Sequence, residues 1–215
     1  LLTANRVLLH ENVPLQKSPE VLAERAQSLS RQFGYNTAPV DATHGFDLDQ
    51  NFWEYAFQTQ APAGYWQRTK TGQPLTLYFW YRQSPRYLTA WRYFSGYVSL
   101  ADPPMESPGM VSMILDLHGR LVEFQAVPPQ VISRNGDSAQ PDWKSLFAEA
   151  GMDLAKFATA TPQWTPPGFA DQQIAWQGPH PDHADVPIRV EAASWHGQPV
   201  YFRIVAPWDK ARRQE

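Results

Sequence analysis

Two segments of the chain alternate apolar and polar residues on either side of a His-Gly dipeptide. The first segment, 110–128, turns at His118-Gly119, and the second, 188–204, turns at His196-Gly197. Period-two alternation interrupted by glycine is typical of antiparallel strands joined by a tight turn, so each segment predicts a β-hairpin. The sequence HGRLVEF of the first segment also matches HGQPVYF of the second without a gap. This match predicts a degenerate internal duplication.

Helical patterns lie upstream of both hairpins. A helix is predicted over residues 19–33, where apolar residues recur at spacings of three and four, and Gly34 supplies its stop. A second helix is predicted over residues 49–60. A third begins after Asp142, which can cap it, and stops at Gly151. Helices and hairpins together predict an α+β fold.

The order of these elements predicts a degenerate tandem of two units, each a helix packed on an antiparallel β-sheet or hairpin. The polar run Asn135-Gly136-Asp137 is the best boundary between the units. We therefore expect a larger N-terminal α+β half at residues 1–132 and a smaller C-terminal α+β half at residues 133–215. The two halves are expected to pack as one globular unit.

The charge balance argues against nucleic acid as a partner. The 18 Lys and Arg residues are outnumbered by 21 Asp and Glu residues, and no basic block appears before the last few residues. A nucleic-acid binder normally needs a concentrated cationic face. The chain also starts without methionine and has no apolar run near the length of about 18 residues that a membrane span needs. We expect a soluble piece, excised or processed from a longer protein.

The sequence contains none of the motifs that usually carry catalysis or cofactor binding. It has no cysteine, no Gly-x-Ser-x-Gly elbow, no His-Glu-x-x-His pair and no glycine-rich phosphate loop. The segment 180–185, HPDHAD, offers imidazoles and carboxylates, but no other His-rich cluster is nearby in sequence to complete a zinc site. Flanking prolines indicate a solvated loop. We expect no catalytic residue, no metal and no cofactor.

The densest unusual feature is aromatic. Residues 75–82 alternate as a strand and open the aromatic-rich segment 78–97. Because alternate residues of a strand lie on opposite faces, one face is expected to build core and the other to show Trp80 and Arg82. One interpretation is a platform that binds a ligand or a partner. The other is that a helix covers this face and the rings are plain core. The candidate binding residues are Trp66, Trp80, Arg82 and Trp91.

Longer motifs carry a resemblance to a known family. In chain order they are VPLQKSPEVLA at 13–23, FGY at 33–35, HGF at 44–46, YFWYRQSPR at 78–86, PGMV at 108–111, GRLVEF at 119–124, AVPPQ at 126–130, WTPP at 164–167 and PVYF at 199–202. Together they resemble the region outside the membrane in a family of bacterial transmembrane serine/threonine protein kinases, over almost the whole chain. In that family a cytoplasmic kinase domain precedes a membrane span, this region follows it, and further membrane segments come after.

The resemblance implies a non-catalytic sensor or interaction domain on the periplasmic side of a bacterial inner membrane, with the kinase chemistry elsewhere in the parent protein. No site residue carries over from it. The expected partners are an unidentified ligand or protein, the flanking transmembrane segments of the same chain, and a second copy in a homodimer. Two alternatives stay open. One is a structural spacer or dimerisation module. The other is a free periplasmic carbohydrate-binding protein or hydrolase, since the two carboxylates of a glycosidase need no fixed spacing in sequence.

Overall fold

A computed structural model of the chain describes residues 15–58, 75–91, 96–131 and 140–211. Within these ranges it contains three α-helices, one short 3-10 helix and eight β-strands. No helix among the described residues combines the length and the apolar character that crossing a lipid bilayer requires.

The α-helices form where the sequence places capping residues. They are α1 (Pro19–Gln32), α2 (Gln50–Gln58) and α3 (Trp143–Glu149). The side chains of Ser18, Asp49 and Asp142 accept hydrogen bonds from backbone N–H groups of the first turns, which a helix start otherwise leaves unpaired. The glycines after α1 and α3 take a left-handed backbone, with φ of 95° at Gly34 and 71° at Gly151. The three predicted helices are confirmed, and the last two residues of the second prediction lie outside the described part.

The remaining regular secondary structure of the described residues is one antiparallel sheet of eight strands. The strands are β1 (Asp41–Leu48), β2 (Leu77–Ser84), β3 (Val111–Leu115), β4 (Leu121–Ala126), β5 (Ala158–Ala160), β6 (Gln172–Pro179), β7 (Pro187–Trp195) and β8 (Gln198–Val205). Their order across the sheet is β1-β2-β3-β4-β8-β7-β6-β5, and every neighbouring pair is antiparallel. The strands β1–β4 and β5–β8 therefore form two meanders. The predicted α+β class is confirmed, with the sheet dominant, and both predicted hairpins are present as β3–β4 and β7–β8.

The two meanders meet at a short ladder between β4 and β8. Three residue pairs form it, and in the middle pair Phe124 lies opposite Phe202. The β4–β8 ladder ends at the pair Glu123–Arg203, while Leu121 still pairs with β3 and Ile204 with β7, so β4 and β8 are no longer paired with each other at that end of the sheet. The predicted boundary between the two halves falls at residues 132–139, which lie outside the described residues.

The main core lies between the helices and one face of this sheet. A single cluster of buried side chains includes Leu22 and Leu29 of α1, Phe147 of α3, and residues of both meanders. Phe147 makes edge-on contacts with Trp176 on β6 and with Phe202, at centroid distances of 5.1 and 5.8 Å. One core therefore extends under both meanders, and a smaller second cluster forms around Ala193, Val200 and Tyr201.

Candidate functional site

Trp80, one of the predicted binding residues, is packed against the neighbouring strand. Its side chain lies on the face of the sheet opposite the helices and is only 8% exposed. The ring covers Gly45 on β1, where an added Cβ atom would lie 2.8 Å from the indole. The glycine therefore makes room for the ring. The burial of Trp80 is therefore explained by its packing against β1.

Arg82, two residues further along β2, is fully buried. Its guanidinium donates hydrogen bonds to the carbonyl oxygens of Ser99 (2.8 Å) and Pro103 (2.5 Å). Burial lowers the pKa of Arg82, and the charge of Asp102 opposes that shift. The carboxylate of Asp102 also accepts a hydrogen bond from the backbone N–H of Trp91 at 2.8 Å. Through these hydrogen bonds Arg82 holds the loop that contains Ser99 and Pro103 against this face of β2. One of the two predictions for this face was a covering helix, and the structure has this loop there.

The structure does not gather the predicted residues on one open surface. Trp91 is 66% exposed, whereas Trp80 and Arg82 are buried. Trp66 lies outside the described residues. A binding role for these four residues stays a prediction, and the described geometry gives Trp80 and Arg82 structural contacts instead.

A cavity of about 230 Å³ lies at the end of the sheet where β4 and β8 separate. We call it the seam cleft. Leu121 and Val122 of β4 and Ile204 of β8 line it, so both meanders contribute to its wall. Trp208, which follows β8, lines it as well and packs on Phe52 of α2 at a centroid distance of 5.3 Å. The cleft therefore has an apolar wall assembled from segments that are remote in sequence.

Arg203 carries one of the positive charges of the seam cleft. Its guanidinium lies 3.6 Å from the carboxylate of Glu123, directly across the β4–β8 ladder, and 3.0 Å from that of Asp209. The Trp164 ring lies 5.0 Å from the guanidinium carbon, within the range of a cation–π contact. Burial alone would lower the pKa of Arg203, but the two carboxylates outweigh it and raise that pKa. Arg203 is therefore a fixed cation whose charge is balanced within the protein.

Arg120 carries a second positive charge and links the two meanders. Its guanidinium donates to Asp116, in the turn between β3 and β4, at 2.6 Å, and to Asp182, between β6 and β7, at 2.7 Å. Burial would lower the pKa of Arg120, but the hydrogen bonds and charges of Asp182 and Asp116 outweigh it and raise that pKa. The guanidinium of Arg120 therefore lies between the carboxylates of Asp116 and Asp182 and is hydrogen-bonded to both.

The histidines of the 180–185 segment stack on each other beside this ion pair. The rings of His180 and His183 lie 5.5 Å apart, and the ring of His180 lines the cleft. Burial, assisted by the charge of His183, lowers the pKa of His180 to about 4. At pH 7 this imidazole is therefore neutral. Among the described residues, no group of three or more His, Asp or Glu side chains is placed to hold a metal ion.

The seam cleft suits the binding of a small molecule. Its walls are mostly apolar, and a few charged groups lie at fixed positions along them, which is the usual composition of a ligand site. The sequence did not point to it, because its residues come from segments that are far apart in the chain, among them α2, β2, both hairpins, the 180–185 segment and the residues after β8. The matching Phe124 and Phe202 were the one available signal, since they mark the strands that meet beside it.

Comparison with known proteins gives no further identification. No protein-family model matches the chain, and neither a curated protein nor a solved structure is similar to it.

Proposed function

We propose that the chain is a non-catalytic binding domain whose ligand occupies the seam cleft. The observation that carries this proposal is the cavity at the end of the β4–β8 ladder, which is lined by residues of both meanders. A ligand held there contacts both meanders at once. Because a ligand shifts a conformational equilibrium by its differential affinity for the two states, such a site is suited to sensing.

We further propose that the chain is a degenerate tandem of two related units. One order of elements, a helix followed by a four-stranded meander, occurs twice, with α2 as an addition to the first unit. Alignment of HGRLVEF with HGQPVYF places Phe124 on Phe202, and these two side chains form the middle pair of the β4–β8 ladder. Equivalent residues at the junction support an origin by duplication.

A second pair of equivalent residues supports the same proposal. The alignment places Arg120 on Gln198. Each of them lies against the glycine that ends the helix of the other unit, Arg120 against Gly151 and Gln198 against Gly34. A Cβ atom added to these glycines would lie 2.8 and 3.0 Å from the respective side chains. Two reciprocal contacts of this kind are expected of a pair of units related by approximate two-fold symmetry.

The resemblance to bacterial transmembrane serine/threonine kinases supports a place for this domain outside the cytoplasmic membrane, as the sensor or interaction part of such a kinase. Translating the DNA on both sides of the segment in frame tests this placement. A kinase catalytic domain and an apolar span of about 20 residues upstream would agree with it. A signal peptide directly before Leu1, with a stop soon after Glu215, would contradict it and favour a free periplasmic binding protein.

Binding in the cleft is tested by a thermal-shift screen of small molecules against the wild-type chain and a cavity-filling variant, Ala206→Leu. Ala206 lines the cleft, whereas Ala155 is exposed on the 3-10 helix, so Ala155→Leu is the matched control. At a ligand concentration of about 100 times Kd, stabilisation is about 2.7 kcal/mol. For a chain of this size, that is a rise in Tm of about 5–10 °C.

The expected result is that a ligand raises the Tm of the wild type and of the Ala155 variant, and has little effect on the Ala206 variant. Val122→Phe on β4 provides a second obstruction of the cleft, in case the first variant does not fold. Ligands that stabilise all the variants equally would place binding elsewhere. A screen without any stabilising compound would contradict the proposal.

A further inference from the structure

We infer that the seam cleft takes a small organic cation, with a protonated amine on an apolar body. This inference rests on the proposed function and specifies the chemical class of its ligand. It follows from the charges that line the cleft, from the pairing of its two arginines, and from its size and walls.

Carboxylates outnumber cations among the described residues that line the cleft. The cations are the guanidinium groups of two arginines, and the His180 imidazole is neutral at pH 7 because burial lowers its pKa. Four carboxylates against two guanidinium groups leave an excess of two negative charges. Within a partly desolvated cavity such an excess attracts a cation and repels an anion. The four carboxylates belong to Asp49, Asp116, Glu123 and Asp209.

Both arginines are engaged by carboxylates of the protein, which is the observation most unfavourable to an anionic ligand. Arg120 bridges two carboxylates at 2.6 and 2.7 Å. Arg203 lies 3.0 Å from Asp209 and 3.6 Å from Glu123. An anion would have to displace one of these partners to reach a guanidinium. A cation needs no such rearrangement, because it approaches the carboxylates of these ion pairs and leaves both arginines paired.

The walls and the volume restrict the rest of the ligand. Aliphatic side chains and the rings of Tyr78 and Trp208 line the cavity, so the body of the ligand is expected to be apolar. Aromatic faces also attract organic cations. At about 230 Å³ the cavity is smaller than the roughly 300–1,000 Å³ typical of drug-sized sites. The ligand is therefore expected to be a compact molecule such as an arylalkyl amine.

Three probes of similar shape and different charge test this inference: phenethylamine, 2-phenylethanol and phenylacetate. Their affinities for the whole chain are measured at pH 7 by calorimetry, at low and high salt. The amine is expected to bind at least about tenfold more tightly than the carboxylate, with the alcohol between them. The two excess negative charges of the cleft lie a few ångströms from the ligand, where they attract the ammonium group and repel the carboxylate. Added salt is expected to reduce the difference.

A charge-neutralising variant, Glu123→Gln, localises the effect. It leaves Arg203 paired with Asp209 and keeps a side-chain oxygen that can accept the hydrogen bond from Gln125. The variant is expected to weaken amine binding roughly fivefold and to leave alcohol binding unchanged. Glu24→Gln, which removes the same charge from an exposed position on α1, is the control and is expected to change neither affinity.

The outcomes separate this inference from the proposed function. Equal or tighter binding of phenylacetate, displaced by filling the cleft, would overturn the cation preference and leave the binding site in place. Failure of all three probes, while other compounds bind in the cleft, would overturn the ligand class alone. Equal loss of amine affinity in both Glu→Gln variants would show a long-range charge effect and overturn the role of Glu123.

Discussion

Replacing Trp80 by alanine is predicted to destabilise the chain strongly, because the indole fills the space over Gly45. The side chain is 8% exposed, and an aromatic side chain buries roughly 150–250 Å². At about 25 cal/mol per Å² this area corresponds to about 4–6 kcal/mol. Truncations of buried Trp and Phe cost about 3–5 kcal/mol in other proteins. At about 2–4 °C per kcal/mol for a chain of this length, Tm should fall by an amount of order 10 °C.

Trp91→Ala is the matched control for this prediction. Trp91 is 66% exposed, and surface substitutions usually change stability by no more than about 0.5 kcal/mol. Differential scanning calorimetry of both variants under the same conditions gives the comparison. A Trp80 variant that melts within about 2 °C of the wild type would refute the packing argument and would favour the predicted binding role of Trp80.

Three further predictions concern other contacts. Arg82→Met should cost about 2–4 kcal/mol in urea denaturation, because the fully buried guanidinium gives up its hydrogen bonds to the carbonyl oxygens of Ser99 and Pro103; wild-type stability would contradict a role of Arg82 in holding this loop. His180 has its pKa lowered to about 4 in the folded state, so between about pH 6.5 and pH 4 the unfolded chain binds more protons and stability is lost as the pH falls. His180→Gln should reduce that loss in a series of melting curves, and an unchanged pH dependence would contradict it. Gly151→Ala should cost at least about 1–2 kcal/mol, since its φ is 71° and a Cβ atom would lie 2.8 Å from Arg120, whereas Gly168→Ala, with ordinary space around it, should be tolerated.

Local signals in the sequence were sufficient for the helices and the two hairpins. Ser18, Asp142 and the glycines after α1 and α3 act within a few residues of the elements they limit, so their effect is visible in the sequence. Likewise, the period-two alternation around the two His-Gly turns predicted the strands of both hairpins. The α+β class followed from these elements.

Strands whose stability comes from distant partners were not predicted. Strand β1 contains two aspartates and Gly45, which are poor strand formers, and it is held by pairing with β2 along its whole length. Strand β6 begins with two glutamines and runs into a segment that prolines indicated as a loop. It is held by eight residue pairs with β7. Such pairing energy is absent from local propensity.

The seam cleft was the feature least predictable from the sequence. Its opening depends on where the β4–β8 ladder stops, and that ladder joins residues about 80 positions apart. The ion pair between Arg120 and Asp182 likewise joins two loops of different meanders. Conversely, the alternation of β2 indicated that Trp80 and Arg82 share a face, but the loop that covers this face is fixed by hydrogen bonds to Ser99 and Pro103, which no pattern in the sequence announces.

Chemical-shift mapping tests the binding site most directly. Adding phenethylamine to isotopically labelled protein at pH 7 should perturb the backbone amide signals of Val122, Glu123 and Ile204, which flank the fork of β4 and β8. The signals of α1 and of residues around Trp91 should stay in place. Perturbations that cluster around Trp91 would contradict a ligand site in the seam cleft, as would signals that do not move with any compound that stabilises the wild-type chain in the thermal-shift screen.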